Sequence, residues 1–163
     1  MTKILIVHHS PTPKVQHLAE VVIDAAREAA DMINKDDSMP GNVEIVERHP
    51  LDDVSQDELV EELLSADAVL FGTTANFGYI SGALKHYFDV VFIQANEKTT
   101  GLPISWWIRG GKDTTGASKA MNSLTTGMNM DVAAEPVEFV GDVEPHEAEL
   151  QEMAQALVGA ALN

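Results

Sequence analysis

The sequence predicts an α/β fold: a three-layer, doubly wound sheet of five parallel strands. Three observations predict it. The apolar period switches repeatedly between two and 3.6 residues, the mark of alternating strands and helices. The runs Ile4-Leu5-Ile6-Val7 and Ala68-Val69-Leu70-Phe71 are apolar throughout, as in central parallel strands covered on both faces. No linker or repeat interrupts the 163 residues, a length that fits one domain over 1–163.

Ile4–Val7 is the first strand. Val15, Leu18, Val22, Ala25, Ala29 and Ile33 step by three or four, so Val15–Ile33 forms a helix with one apolar face. Residues 34–42 read as a loop, and Val43–Arg48 as the second strand. Ser55 and Glu58 form a capping box, flanked by Val54 and Leu59 at the staple positions, which opens a helix over Gln56–Ala66. Ala68–Phe71 is the third strand. Gly72–Tyr79 reads as a loop leading to a helix with Ile80, Leu84, Tyr87, Phe88 and Val91 on one side. Ile104–Ile108 is the fourth strand, ended by Gly110-Gly111. Ala117, Met121, Leu124 and Met128 mark a short helix, Val137–Val140 is the fifth strand, and Pro145 opens the last helix. Right-handed crossovers then give the strand order 2-1-3-4-5.

Composition excludes several classes of function. The chain has no cysteine, which removes disulfides, thiolate metal sites and thiol redox catalysis; redox chemistry would need a borrowed cofactor. The six histidines show no metal-ligand spacing in sequence, so no metal site is expected. Net charge is −16, and no base follows Lys119 while eight acids do. Such a surface repels nucleic acid and anionic lipid, keeps the chain soluble and can attract a basic protein partner. No apolar run reaches the ~18 residues of a membrane helix. The amino terminus lacks the features of a secretion signal, which leads us to expect a cytoplasmic protein.

Ligands of such sheets sit beyond the carboxyl ends of the strands, and three loops there carry chemistry. After strand one, Thr12 and Pro13 form an N-cap and first-turn pair. The helix amides there favour an anion, and the Ser10 and Thr12 hydroxyls with the Lys14 ammonium add to that, although Pro11 and Pro13 each remove a donor. After strand three, Gly78 permits close backbone approach, Asn76 offers amide donors, and Phe77 or Tyr79 offers a flat face. Taken singly, an aromatic such as Phe77 more often turns into the core. After strand four, Gly110-Gly111 could wrap a ring edge, with Arg109 or Lys112 balancing negative charge. Trp106 and Trp107 point to opposite faces, and both read as core.

The run Gly72-Thr73-x-x-Asn76-Phe77-Gly78-x-Ile80-Ser81-Gly82-Ala83-Leu84-Lys85, followed by Phe88-Asp89, resembles the isoalloxazine-loop signature of the flavodoxin-like superfamily. It is most similar to FMN-binding NAD(P)H:quinone oxidoreductases and NADPH-dependent FMN reductases. Leu124–Phe139, with Gly127-Met128 and Pro136, is also similar to their fourth-helix and fifth-strand region. The resemblance implies a flavodoxin-like fold, FMN as cofactor and NADH or NADPH as reductant. It implies FMN contacts from Ser10, Thr12, Pro13, Lys14, Val15, Thr73, Thr74, Ala75, Asn76, Phe77, Gly78, Arg109, Gly110, Gly111 and Lys112. No catalytic side chain is implied, because the flavin carries the chemistry; Tyr79 and His86 read as surface residues. The phosphate loop departs from the flavodoxin pattern: Pro13 replaces its glycine and Val15 its last threonine.

Two functions are expected on these grounds. One is an FMN-dependent oxidoreductase passing electrons from NAD(P)H to a quinone, flavin or similar small-molecule acceptor. The other is a flavodoxin-type electron carrier serving a redox partner protein. The flavin-covering loops of carriers are not visible, which favours the reductase. Reductases of this kind often pair so that a neighbour completes the site, making a homodimer an arrangement to expect. Receiver domains share the strand order, but they need paired acids after strand one and an aspartate after strand three. This chain has His8-His9-Ser10 and Thr73-Thr74 there.

Overall fold

The computed structural model describes residues 1–39 and 41–163. The elements run β1 (Thr2–His8), α1 (Pro13–Asn34), β2 (Val43–Arg48), α2 (Gln56–Leu64), β3 (Ala68–Asn76), β4 (Tyr79–Ile80), α3 (Gly82–Ala95), β5 (Pro103–Gly110), α4 (Thr115–Gly127), β6 (Asp131–Val132), β7 (Val137–Val140) and α5 (Glu147–Ala160). The sheet is ordered β2-β1-β3-β5, and the far edge of β5 pairs with β6 at one end and β7 at the other. All these pairings are parallel. Counting β7 as the fifth strand gives the expected order 2-1-3-4-5. The edge position is split because residues 133–136 leave the ladder after the Ala133 amide donates to the Ile104 carbonyl.

Strand alternation builds two cores, one on each face. Ile4, Ile6, Leu70 and Trp107 face α1 and α5. Leu5, Val7, Val69, Phe71, Trp106 and Ile108 face α2, α3 and α4. The tryptophans are therefore buried on opposite sides, as read from their adjacency. Burying one such aliphatic side chain is worth roughly 1.5–3 kcal/mol, so both layers hold the sheet strongly. Gly72 belongs to this packing: a Cβ there would collide with the Trp107 indole.

Helix α1 begins at Pro13, the start that the Thr12-Pro13 pair marks in the sequence. Three other boundaries depart from the sequence reading, each for a local reason. Strand β3 continues through Asn76, paired to β5 as far as Ala75, so most of the expected loop is strand. Ile80 lies in β4, and α3 starts after Ser81, whose hydroxyl accepts from the Leu84 amide. Pro145 sits in a 3-10 turn, Glu144–His146, and α5 begins at Glu147. The Ser55 cap on α2 is as read, its hydroxyl accepting from the Glu58 amide.

Candidate ligand site at the strand carboxyl ends

The three chemistry-bearing loops do converge. β1, β3 and β5 are neighbours, so residues 9–15, 74–78 and 109–112 open on one edge of the sheet. The His9 amide donates to the Gly72 carbonyl and ties the first loop to β3.

The α1 start exposes groups that attract an anion. Thr12 has extended backbone angles, φ −122° and ψ 157°, yet its hydroxyl makes no capping bond. The first helical bond is from the Gln16 amide to the Thr12 carbonyl. Among the described residues, the Lys14 and Val15 amides have no acceptor. The first turn holds no acid. Two orphan amides and a free hydroxyl at the positive end of a long helix form a small anion cradle. Val15 contributes only its amide, since its side chain is buried in the core. Pro13 contributes no donor.

The loop after β3 is a two-residue hairpin. Asn76 pairs with Tyr79 and Ala75 with Ile80, leaving Phe77 and Gly78 as the turn. Both have positive φ, 52° and 75°, the requirement of the hairpin turn whose twist matches its strands. Glycine adopts this freely, whereas a phenylalanine does not. Phe77 is nevertheless held there, and its relative exposure is 109%. The core placement that single aromatics favour is thus overturned: the strand pairing swings this ring fully outward. The tip is braced by Gly116 of α4, where a Cβ would collide with the Gly78 carbonyl oxygen.

Not every expected residue faces outward. Thr73 is buried, and its hydroxyl is used within the fold, accepting from the Ser81 amide at 2.9 Å and donating to the Thr74 carbonyl. Thr74 donates to the Asn76 side-chain oxygen at 2.9 Å, which fixes that amide at the rim. Gly110 is packed, with Thr114, Asp113 and Ala75 close to where a Cβ would stand, whereas Gly111 opens onto free space. Lys112 is exposed and has no ion-pair partner among the described residues.

Sequence reading missed the loop after β7. The Arg109 Nε donates to the Gly141 carbonyl at 2.8 Å, and the Lys14 Nζ bonds to Asp142 Oδ1 at 3.0 Å. Residues 141–142 thus clamp the first and third loops from the far side. The Lys14 hydrogen bond, with the Lys14 and Arg109 charges, holds the Asp142 carboxyl below the usual carboxylate range. The signal that could have found this loop is Gly141-Asp142 itself, a turn pair directly after the fifth strand. Tyr79 is partly exposed beside Phe77, and His86 is on the surface, as read.

A parallel doubly wound sheet with loops converging at the turn in strand order defines an α/β protein whose loops stand where ligands of such sheets bind. The chain belongs to the flavodoxin-like fold family Flavodoxin_2, whose model matches residues 2–158. Among curated proteins it is similar to an NAD(P)H dehydrogenase (quinone) of Archaeoglobus fulgidus. That match is 34% identical over 98 residues, covering 55% of this chain and 51% of the relative. A protein of the same name from Bradyrhizobium sp. strain BTAi1 is 28% identical over 92 residues, covering 55% and 46%. The chain thus spans about half the length of the curated relatives it matches. Among solved structures it resembles a flavodoxin from the domain Archaea, with TM-score 0.73, 14% identity and coverage of 99% and 100%. An oxidoreductase from Corynebacterium diphtheriae gives TM-score 0.75, 14% identity and coverage of 99% and 97%.

Proposed function

We propose that this chain binds FMN at the switch point and uses NADH or NADPH to reduce a quinone, flavin or similar small acceptor. The observation that carries the reading is Phe77: a bulky residue held at positive φ and fully exposed at the crevice rim. Backbone strain of this kind persists where the surrounding structure over-determines it, and it clusters at ligand clamps. The orphan amides of Lys14 and Val15 with the Thr12 hydroxyl supply the phosphate end. Asn76, Ala75 and the open backbone of Gly78 and Gly111 suit the polar edge of a flavin. Bound FMN would supply the redox chemistry, taking hydride from the nicotinamide and passing electrons to the acceptor. The side chains would bind and orient; Lys112 would offset the cofactor's negative charge. The names of the partial-length relatives support the quinone-reducing reading.

A spectrum of purified protein tests the binding step. Flavin absorbance, or quenching of added FMN fluorescence with one site per chain, is the expected result. Colourless protein that quenches no FMN overturns it. Anaerobic mixing with NADPH or NADH should then bleach the bound flavin.

The acidity of the chain, −16 overall, and its likeness to flavodoxins favour a second reading, an electron carrier. A carrier would bind FMN yet stay oxidised under NAD(P)H until a separate reductase is added. A homodimer in which a neighbour covers the flavin belongs to the first reading, and sedimentation at micromolar concentration tests it.

A further inference from the structure

We propose that His8, Glu47 and His49 form a binding site for one divalent transition-metal ion of the zinc type. Strand geometry brings them together. β1 and β2 are parallel with Ile6 opposite Glu47 and Val7 opposite Arg48. Side chains alternate, so His8 shares the face of Ile6, and His49 that of Glu47. Register and alternation therefore bring all three to one spot, on the α1 side at the carboxyl ends of two adjacent strands.

The distances suit a metal. His8 Nε2 lies 2.7 Å from Glu47 Oε1, and His49 Nε2 lies 3.4 Å from the same oxygen. No two of the three ligand atoms are more than 4.8 Å apart. Tetrahedral ligands at bond lengths of about 2.0–2.1 Å stand about 3.3 Å from one another. The Glu47–His49 separation already fits. The His8–Glu47 contact opens by roughly half an ångström, and the half-exposed His49 imidazole is free to swing in.

The surroundings also fit. The second ring nitrogen of His8, Nδ1, is held by the Ser10 hydroxyl at 2.7 Å, the kind of outer contact that fixes the ring of a ligating histidine. His8 is buried and packs against Trp107, which limits its motion. Two imidazoles and one carboxylate, without thiolate, suit zinc and its neighbours over calcium or magnesium. Three protein ligands leave a fourth position open, and it faces a hollow of about 380 Å³ lined in part by Gln16, Glu20, Asp24 and Arg27. A position of that kind takes water or a small anionic ligand. The site is on the β2 side of β1, away from the hairpin, and does not rest on the FMN reading.

Tag-free protein stripped with chelator and titrated with zinc by calorimetry tests the proposal, with cobalt(II) as a visible probe. One ion per chain, strong four-coordinate cobalt bands and insensitivity to excess magnesium are expected. His49→Ala and Glu47→Gln should each weaken zinc by at least about tenfold. His17→Ala removes a surface histidine–glutamate pair, His17 with Glu147 at 3.0 Å, and should leave binding unchanged. Because His49 is exposed, its variant should keep the wild-type melting temperature without metal, which separates ligand loss from misfolding. Substoichiometric zinc, displacement by magnesium, or a His49→Ala variant that binds zinc as tightly as wild type overturns the proposal.

Discussion

Replacing Phe77 by asparagine should make the protein more stable and a worse flavin binder. Phe77 sits at φ 52° in a two-residue turn with Gly78 at 75°. The left-handed region costs an ordinary L-residue about 1–2 kcal/mol, because Cβ approaches the following carbonyl. Asparagine tolerates that region and, followed by glycine, is a preferred pair for this turn. Nothing offsets the gain on the folded side, since the ring is fully exposed and buries no area. A net stabilisation of about 1 kcal/mol results, which for a chain of this size raises the melting temperature by roughly 2–4 °C. On the proposed reading, a bound flavin would lose its aromatic wall at the same time. Aromatic contacts contribute about 0.5–1.5 kcal/mol beyond area, so FMN affinity should fall by roughly two- to tenfold. Thermal unfolding of the apoprotein and a fluorescence titration with FMN read the two effects separately. A lower melting temperature would refute the strain argument, and unchanged FMN affinity would refute the role of the ring.

Four further changes probe neighbouring contacts. Gly116→Ala drives a methyl group into the Gly78 carbonyl, so it should cost about 1–3 kcal/mol in urea unfolding and weaken FMN by displacing the hairpin. Asp142→Asn releases Lys14 from its ion pair beside the α1 start and should tighten FMN a few-fold, an effect that fades with salt. Tyr87→Phe removes a buried hydroxyl that has no partner among the described residues, so stability should rise by about 1 kcal/mol in the same unfolding assay. Asp113 accepts from the Thr115 amide and hydroxyl at the start of α4, and these bonds lower its pKa from the usual 3.8. A depressed carboxyl stabilises the fold above the unfolded value and loses that contribution as pH falls through the folded one. Wild type should therefore melt above Asp113→Asn at neutral pH, and the two curves should converge below pH 3.8.

The layers of the fold were legible because they depend on period alone. β2 and β7 were read with the limits they have, Val43–Arg48 and Val137–Val140, since each is a short run bounded by turn residues or proline. The features that escaped are set by contacts between strands distant in sequence. Gly72–Asn76 looks like a loop because glycine, threonine and asparagine together lack the apolar run of a buried strand. Pairing with β5 from Gly72 to Ala75 outweighs that local preference. The same pairing decides Phe77: once Asn76 is in a ladder with Tyr79, only two residues remain to reverse the chain, and the ring must leave the core. The histidines escaped for a related reason. Spacing along one segment cannot reveal the cluster, because His8 meets Glu47 across a parallel register 39 residues away. The legible trace was Glu47-x-His49, a period-two pair at a strand end, which has meaning only once β1 is known to be its neighbour. Both the hairpin and the histidine cluster therefore come from sheet register, a property that no single stretch of sequence carries.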